Sequence, residues 1–174
     1  LLNNLEKEVC TFLGVEEKKD RNKMYKEALT KTIGKGIELD FLNEDLKSFD
    51  LDKLGQAILE ERDFQFTYLG LQTLYDRYFI TSDETRYELP QVFFMRVAMG
   101  LALNEENKDE RALEFYKLLS SFDYMSSTPT LFNSGTKRPQ LSSCYLTTVP
   151  DDLSGIYGAT VSYTHLTLPT THDV

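Results

Sequence analysis

Apolar side chains recur three and four positions apart through most of the first 120 residues, which is the spacing of one face of an α-helix. The stretches that follow this spacing are residues 1–13, 23–33, 50–59, 66–75, 92–103 and 110–119. Gly34 and Gly36 are predicted to end the second helix, because glycine commonly follows a helix end. Asp50 or Asp52 is predicted to cap the third. Residues 92–103 are apolar nearly all round, which indicates a helix buried in the core.

Two segments carry the residue types of β-strands instead. Residues 78–87 place β-forming residues on both sides of Ser82-Asp83-Glu84, which predicts a small hairpin. Residues 141–149 alternate between two faces and predict the best strand of the chain, ended by Pro150. A short helix is then predicted to begin near Leu153. A helical region followed by a strand, a loop and a helix indicates that the chain runs from a helical domain into an α/β domain.

The composition shows that the chain is acidic, and its cysteine content indicates a reducing compartment. The chain has 174 residues and a formal net charge of −9, which argues against a general nucleic-acid binder. Its length suits one domain, or one domain and the beginning of another. Two cysteines do not make a disulfide framework, so a cytoplasmic setting is expected. No apolar run has the length of a membrane span, and the amino end lacks a signal-peptide profile.

The acidic excess is concentrated in residues 38–63, which hold nine acidic and three basic side chains. A solvated face explains such a stretch best, and an interaction surface is the second interpretation. No site is predicted within it.

Cys144 is the first candidate for chemistry. A thiol flanked by hydroxyls on a strand, just before a polar turn, suits a nucleophile, a redox partner or a metal ligand. The competing interpretation is a small buried apolar residue, since free cysteine is among the most buried residue types. No metal site is predicted, because Cys10 is far away in sequence and no histidine precedes His165. The missing imidazole also argues against a cysteine-protease arrangement.

The loop predicted over residues 126–135, with Ser142 and Ser143, is the second candidate. Hydroxyls and backbone N–H groups in a loop bounded by proline and glycine can cradle a phosphate. An ordinary turn is the competing interpretation, because serine, threonine, asparagine, proline and glycine are the usual turn residues. The chain has neither a Walker-type lysine motif nor a GxGxxG pattern.

Asp151, Asp152 and Leu153, at the predicted start of the last helix, are the third candidate. An aspartate there is expected to cap the helix. The functional alternative is that one of the two carboxylates accepts a hydrogen bond from a sugar hydroxyl.

The ordered run from Ser127 to Tyr157 resembles one family closely. It contains Ser-Thr-Pro-Thr-Leu-Phe-Asn-Ser-Gly and Leu-Ser-Ser-Cys-Tyr-Leu, and it is similar to the large (α) subunit of class I ribonucleoside-diphosphate reductase, in a bacterial form. Residues 62–68 and 78–80 resemble the helical amino-terminal domain of that family. The resemblance covers roughly residues 20–160. It implies a mainly α fold, with a helical amino-terminal domain followed by the truncated first strand or strands of a ten-stranded α/β barrel.

The resemblance also implies how the chain is divided. Residues 1–20 correspond to the end of an ATP cone or to a linker helix, and residues 21–120 to the helical reductase domain. Residues 121–160 correspond to the start of the catalytic barrel. Residues 161–174 do not continue the family's pattern, so we expect a foreign-looking or disordered tail, poorly packed. Both histidines, His165 and His172, lie in this tail.

The implied activity is an oxidoreductase that converts ribonucleoside diphosphates into deoxyribonucleoside diphosphates for DNA replication. In this family a thiyl radical abstracts hydrogen from the ribose, and a cysteine pair supplies reducing equivalents as the 2′-hydroxyl leaves. Cys144 matches the first member of that pair. Ser143 and Thr128 match contacts of the substrate phosphates. Residues 151–153 match the motif that binds the deoxynucleotide effector.

The resemblance implies no cofactor bound directly by this chain. The radical would come from a diiron or dimanganese small subunit, and ATP and deoxynucleotides would be allosteric effectors. The implied partners are the substrate, that small subunit, thioredoxin or glutaredoxin, and a second copy of the full-length subunit, but neither a membrane nor a nucleic acid. We expect the chain alone to be inactive, because the radical cysteine and the second reducing cysteine belong to later barrel strands.

Two alternatives stay open at this point. The near one is a reductase of another class, cobalamin-dependent or anaerobic, whose barrel shares the thiol chemistry. The distant one is a non-enzymatic acidic helical interaction module in which Cys144 is merely packed.

Overall fold

The computed structural model of the chain describes residues 1–16 and 20–164, with side chains to residue 162. It consists of two compact units, Leu1–Leu141 and a second that begins at Ser142, and each is described by itself below. The helical part of the predicted fold class is confirmed, because helices make up most of the first unit. None of the helices in the described ranges combines the length and the apolar character that crossing a bilayer requires.

Seven α-helices, two 3₁₀ helices and one hairpin follow one another in the described part of the first unit. The α-helices are α1 (Leu2–Leu13), α2 (Arg21–Glu38), α3 (Leu51–Gln56), α4 (Tyr68–Arg77), α5 (Pro90–Ala102), α6 (Lys108–Ser120) and α7 (Thr128–Asn133). The 3₁₀ helices are Glu44–Ser48 and Glu60–Gln65. The hairpin strands are β1 (Thr81–Ser82) and β2 (Thr85–Arg86), which pair antiparallel. The second unit holds α8 (Leu153–Thr164).

Helix α5 is the centre of the first unit. Its residues from Pro90 to Met99 are all buried, and it packs against α6, α2 and α7. Pro90 occupies the first helical turn, where a missing N–H costs nothing. The prediction of a buried helix in this region is therefore confirmed.

Helix α2 corrects the prediction that Gly34 and Gly36 end it. Asp20 caps its start by accepting a hydrogen bond from the Lys23 N–H at 3.4 Å, and the helix continues through both glycines to Glu38. A Cβ at Gly36 would lie 2.5 Å from Cδ1 of Leu42. Glycine is therefore used here for close packing against Leu42, and this packing was invisible in the local sequence.

The third helix and the hairpin are found in the regions predicted for them, but both are shorter than predicted. Asp50 caps α3 by accepting from the Lys53 N–H at 2.9 Å, but α3 ends at Gln56 and leaves residues 57–59 outside. Strand β1 contains Thr81 and Ser82, and Tyr78, predicted in that strand, directly follows α4 instead. In the hairpin, Asp83 and Glu84 both have positive φ, at 48° and 64°. Two successive residues of this kind form the turn that matches the twist of paired strands.

The strand predicted over residues 141–149 is not formed. These residues have no regular secondary structure, and Leu146 is 96% exposed. Among the described residues, strand pairing is confined to β1 with β2 and to a single bridge between Leu42 and Thr136. A strand is defined by hydrogen bonds to a neighbour, so alternation alone does not produce one when no neighbouring strand is present.

Helix α8 begins at Leu153 as predicted and runs to Thr164. It therefore includes residues 161–164, which were expected to belong to the tail. His165, His172 and the rest of the predicted tail lie outside the described residues.

Candidate functional site

Helix α7 occupies most of the segment that was predicted to be a phosphate-cradling loop. Ser127 has extended backbone angles and precedes the helix, and Pro129 lies in its first turn. The prediction of a loop over residues 126–135 is therefore wrong for residues 128–133. Serine, threonine and proline are turn residues, but the same residues also start helices.

Most hydroxyls of this segment are engaged within the first unit. Thr130 Oγ1 donates to the Leu141 carbonyl at 3.2 Å and lies 3.2 Å from Ser127 Oγ. The Ser134 hydroxyl is buried and donates to the Val97 carbonyl at 2.7 Å. Thr128, by contrast, is exposed at the start of α7. Of the predicted substrate contacts in the first unit, Thr128 is thus open to a ligand.

The Thr128 hydroxyl lies within hydrogen-bond distance of Tyr78, the residue that directly follows α4. Thr128 Oγ1 lies 3.1 Å from the Tyr78 hydroxyl, and either oxygen can donate. The Tyr78 ring stacks on Phe132 with a centroid distance of 4.6 Å and an angle of 5° between the ring planes. The sequence pattern predicts Tyr78 in the first strand of the hairpin and indicates no role for it, because its partners lie about 50 residues downstream.

A buried ion pair fixes the carboxyl end of α7 to the core. Arg96 and Glu88 are both fully buried, and Arg96 Nε donates to Glu88 Oε1 at 2.5 Å. The same guanidinium donates through Nη1 to the Ser134 carbonyl at 2.6 Å and through Nη2 to the Leu131 carbonyl at 3.5 Å. Glu88 also accepts from the Ile80 N–H at 2.9 Å. The pair therefore joins α5, α7 and the hairpin region.

Two glycines permit the close approach beside this ion pair. A Cβ at Gly100 would lie 2.0 Å from the Gly135 nitrogen, and Gly135 has a φ of +78°. The Asn43 N–H donates to the Gly135 carbonyl at 3.0 Å. The backbone after α7 is therefore held directly against α5.

Cys144 is exposed, as are Ser142 and Ser143 beside it. The interpretation of Cys144 as a packed core residue is therefore wrong. Cys10 shows the opposite environment, because it is buried in α1. Neither cysteine forms a disulfide within the described ranges.

Asp152 caps α8, which confirms the predicted capping role. Its Oδ1 accepts from the Gly155 N–H at 2.8 Å, and its carbonyl accepts from the Ile156 N–H at 3.0 Å. Asp151 and Leu153 are exposed on either side of it. Thr128 belongs to the first unit, whereas Ser143, Cys144 and residues 151–153 belong to the second. No cluster of three or more metal-ligating side chains occurs in the described part of the chain.

Asp63 is the exception in the acidic stretch, because seven of its other eight acidic residues are exposed, as the solvated-face interpretation predicts, and Glu60 is half-buried. The Asp63 carboxylate is buried and accepts from Tyr25, from Arg21 at 3.1 Å and from Gln91 at 2.9 Å. Burial raises the pKa of Asp63 to about 6, against the opposing effect of these hydrogen bonds and of the arginine charge. Tyr116 continues the network by donating to Gln91 at 3.1 Å. No local sequence pattern indicated it, because its members come from four separate segments.

Comparison with known proteins identifies relatives for most of the chain. Residues 64–139 match the family model described as the ribonucleotide reductase all-alpha domain. The chain is 53% identical over 139 residues to the ribonucleoside-diphosphate reductase subunit alpha of Chlamydia muridarum, an alignment that covers 79% of this chain and 13% of that protein. It is 51% identical over 112 residues to the subunit of the same name from Helicobacter pylori, covering 64% and 14%.

A eukaryotic relative is also similar. The ribonucleoside-diphosphate reductase large chain of Schizosaccharomyces pombe is 44% identical over 108 residues, which cover 61% of this chain and 13% of that protein. The chain thus spans 13–14% of the length of these curated relatives.

Proposed function

We propose, from the premise that the chain belongs to the ribonucleotide reductase large-subunit family, that the whole protein reduces ribonucleoside diphosphates to deoxyribonucleoside diphosphates. The observation that carries this proposal is the exposed thiol of Cys144, in the segment that resembles the family's reducing site. The acidic interaction module, the distant alternative, needs a packed Cys144 and loses its support.

Cys144 is proposed to be one of two thiols that deliver the electrons. When the 2′-hydroxyl leaves as water, the substrate gains two electrons and two protons from a pair of thiols, which become a disulfide. A dithiol protein of the thioredoxin or glutaredoxin class then reduces that disulfide. The second thiol is expected elsewhere in the full-length polypeptide, and radical initiation is expected from a diiron or dimanganese small subunit.

Thr128 and Ser143 are proposed to bind the substrate diphosphate. Both hydroxyls are on exposed residues and can donate to the acceptor-only oxygens of a phosphate. Hydrogen bonds to a charged oxygen are stronger than those between neutral groups. These two residues therefore contribute recognition without adding positive charge to an acidic chain.

The segment Asp151–Leu153 is proposed to contact a deoxynucleotide effector. Asp152 is engaged in capping α8, so Asp151 is the better candidate to accept a hydrogen bond from a sugar hydroxyl. ATP regulation, a homodimer of the full-length subunit and a cytoplasmic location belong to the same proposal.

The test is turnover of CDP by the full-length protein with its small subunit and thioredoxin. Cys144→Ser is expected to abolish thioredoxin-supported turnover, whereas Cys10→Ala is expected to retain it, because Cys10 is buried in a helix. Turnover retained by Cys144→Ser contradicts the assignment. Turnover without the small subunit would favour the cobalamin-dependent or anaerobic class. The 174-residue chain alone is expected to form no deoxynucleotide.

A further inference from the structure

Tyr78 lies directly after the carboxyl end of α4 and is half-buried. Its N–H donates to the Leu74 carbonyl at 2.9 Å, and its ring stacks on Phe132. The edge of the same ring faces Phe93 of the buried helix α5, with centroids 6.4 Å apart and planes at 78°. A ring packed between α5 and α7 has little freedom to turn, so the position of its hydroxyl is set by the core.

The two residues that Tyr78 contacts on α7 lie one helical turn apart. Thr128 and Phe132 are four positions apart and so lie on the same face of α7. The Tyr78 ring covers Phe132 while its hydroxyl reaches Thr128 Oγ1 at 3.1 Å. The aromatic stack therefore brings the phenol to the one hydroxyl of α7 that is exposed for a ligand.

We propose that Tyr78 is a positioning residue for the substrate diphosphate, because its hydroxyl donates to Thr128 Oγ1 and directs the Thr128 proton to a phosphate oxygen. This inference rests on the proposed role of Thr128 in binding substrate. Tyr78 itself acts through Thr128. The matched region of the all-alpha domain contains both residues.

The direction of the hydrogen bonds follows from the number of protons available. A threonine hydroxyl has one proton and two lone pairs, and a phosphate oxygen only accepts. With the diphosphate bound, Thr128 must give its proton to the phosphate, so it can only accept from Tyr78. Donation from Tyr78 polarises the Thr128 hydroxyl and strengthens its bond to the anion.

The experiment measures steady-state kinetics with CDP for the full-length protein, its small subunit and thioredoxin. Tyr78→Phe keeps the stacked ring and removes only the hydroxyl. It is expected to raise KM about five- to tenfold, the effect of one lost hydrogen bond to a ligand-binding group, with kcat within about twofold. Tyr75→Phe is the matched control one turn earlier, in α4, because the Tyr75 hydroxyl donates to Glu8 and not to α7. It is expected to leave KM unchanged.

A double-mutant cycle separates positioning from general support of the fold. Thr128→Val is expected to raise KM, and adding Tyr78→Phe to it is expected to change KM no further. In Thr128→Ser, which keeps a hydroxyl, Tyr78→Phe is expected to raise KM again. Equal effects of Tyr78→Phe with and without the Thr128 hydroxyl would overturn the inference.

The kinetics distinguish a wrong assignment of Thr128 as a substrate contact from a wrong assignment of Tyr78 as its positioning residue. If Thr128→Val leaves KM unchanged, the proposed substrate contact is wrong, and the inference is wrong with it. If Thr128→Val raises KM but Tyr78→Phe does not, only the inference is wrong. A lower melting temperature of Tyr78→Phe with unchanged KM, or a loss in kcat alone, also contradicts it.

Discussion

Asp63 is buried with hydrogen bonds from three side chains, and burial raises its pKa to about 6. Its pKa in an unfolded chain is near 3.9. The folded protein therefore holds this proton more tightly, and the stability contributed by protonation is complete below about pH 4. That contribution is lost as pH rises through about 6.

The free energy of unfolding is therefore expected to depend on pH differently in the native chain and in a variant that lacks the Asp63 carboxyl group. Between about pH 4 and pH 7, the free energy of unfolding is expected to fall by roughly 3 kcal/mol more in the native chain than in Asp63→Asn, which cannot titrate. Urea unfolding at several pH values measures it. Glu106→Gln, which removes an exposed carboxyl group, should retain the native pH profile. Parallel profiles for the native chain and Asp63→Asn would show that Asp63 does not carry the effect.

The ion pair between Glu88 and Arg96 is the second strong constraint at this scale. Glu88→Gln leaves the buried guanidinium without its counter-charge and is expected to destabilise the chain by about 3–5 kcal/mol. Glu38→Gln, the matched change in the exposed pair with Lys35, is expected to cost less than about 1 kcal/mol. Denaturant unfolding of both variants tests the contrast, and similar losses would contradict it.

At the scale of helices and strands, the spacing of apolar residues predicts which segments are helical. It does not predict where each helix ends, because the ends depend on contacts with residues distant in sequence. The helical spacing located six helices, yet Gly36 continues α2 because Leu42 packs onto it. Helix α7 was missed because its serine, threonine and proline residues suit turns and helix starts equally. The strand over residues 141–149 was predicted from alternation, and alternation does not supply a pairing partner.

Two helical glycines should respond oppositely to the same substitution. Gly100→Ala would place a methyl group 2.0 Å from the Gly135 nitrogen and is expected to cost about 1–3 kcal/mol or more. Gly34→Ala meets nothing within 4 Å and is expected to stabilise the chain by about 0.4–1 kcal/mol, since alanine restricts the unfolded chain. Thermal unfolding of the two variants is the measurement. Equal shifts, in either direction, would contradict the close approach of α5 to residue 135.

At the scale of the whole molecule, the sequence predicts only those candidate site residues that belong to one continuous motif. Cys144, Ser143 and Thr128 were located through the resemblance of one ordered segment. Tyr78 was not, because its contact with Thr128 joins positions 50 residues apart. Contacts of this kind are products of the fold and leave no local pattern.

The division into two units predicts where proteases act first. Residues 142–150 are mostly exposed and have no regular secondary structure, so chymotrypsin is expected to cleave first after Tyr145 or Leu146. Limited digestion followed by mass spectrometry identifies the site, and the fragment from residue 1 should resist further cleavage. First cuts between residues 20 and 141 would contradict this division of the chain.

The ion pair that joins α5 to α7 also determines when, during synthesis of the chain, the core of the first unit can form. The carbonyls that Arg96 binds lie 35 and 38 residues downstream of it, whereas Glu88 lies eight residues upstream. A chain emerging from a ribosome completes α5 and α6 before Ser134 is available, and closing such distant contacts is slow. The first unit can therefore complete its native core only after Ser134 has emerged, although all the helices around α5 except α7 are finished by residue 120.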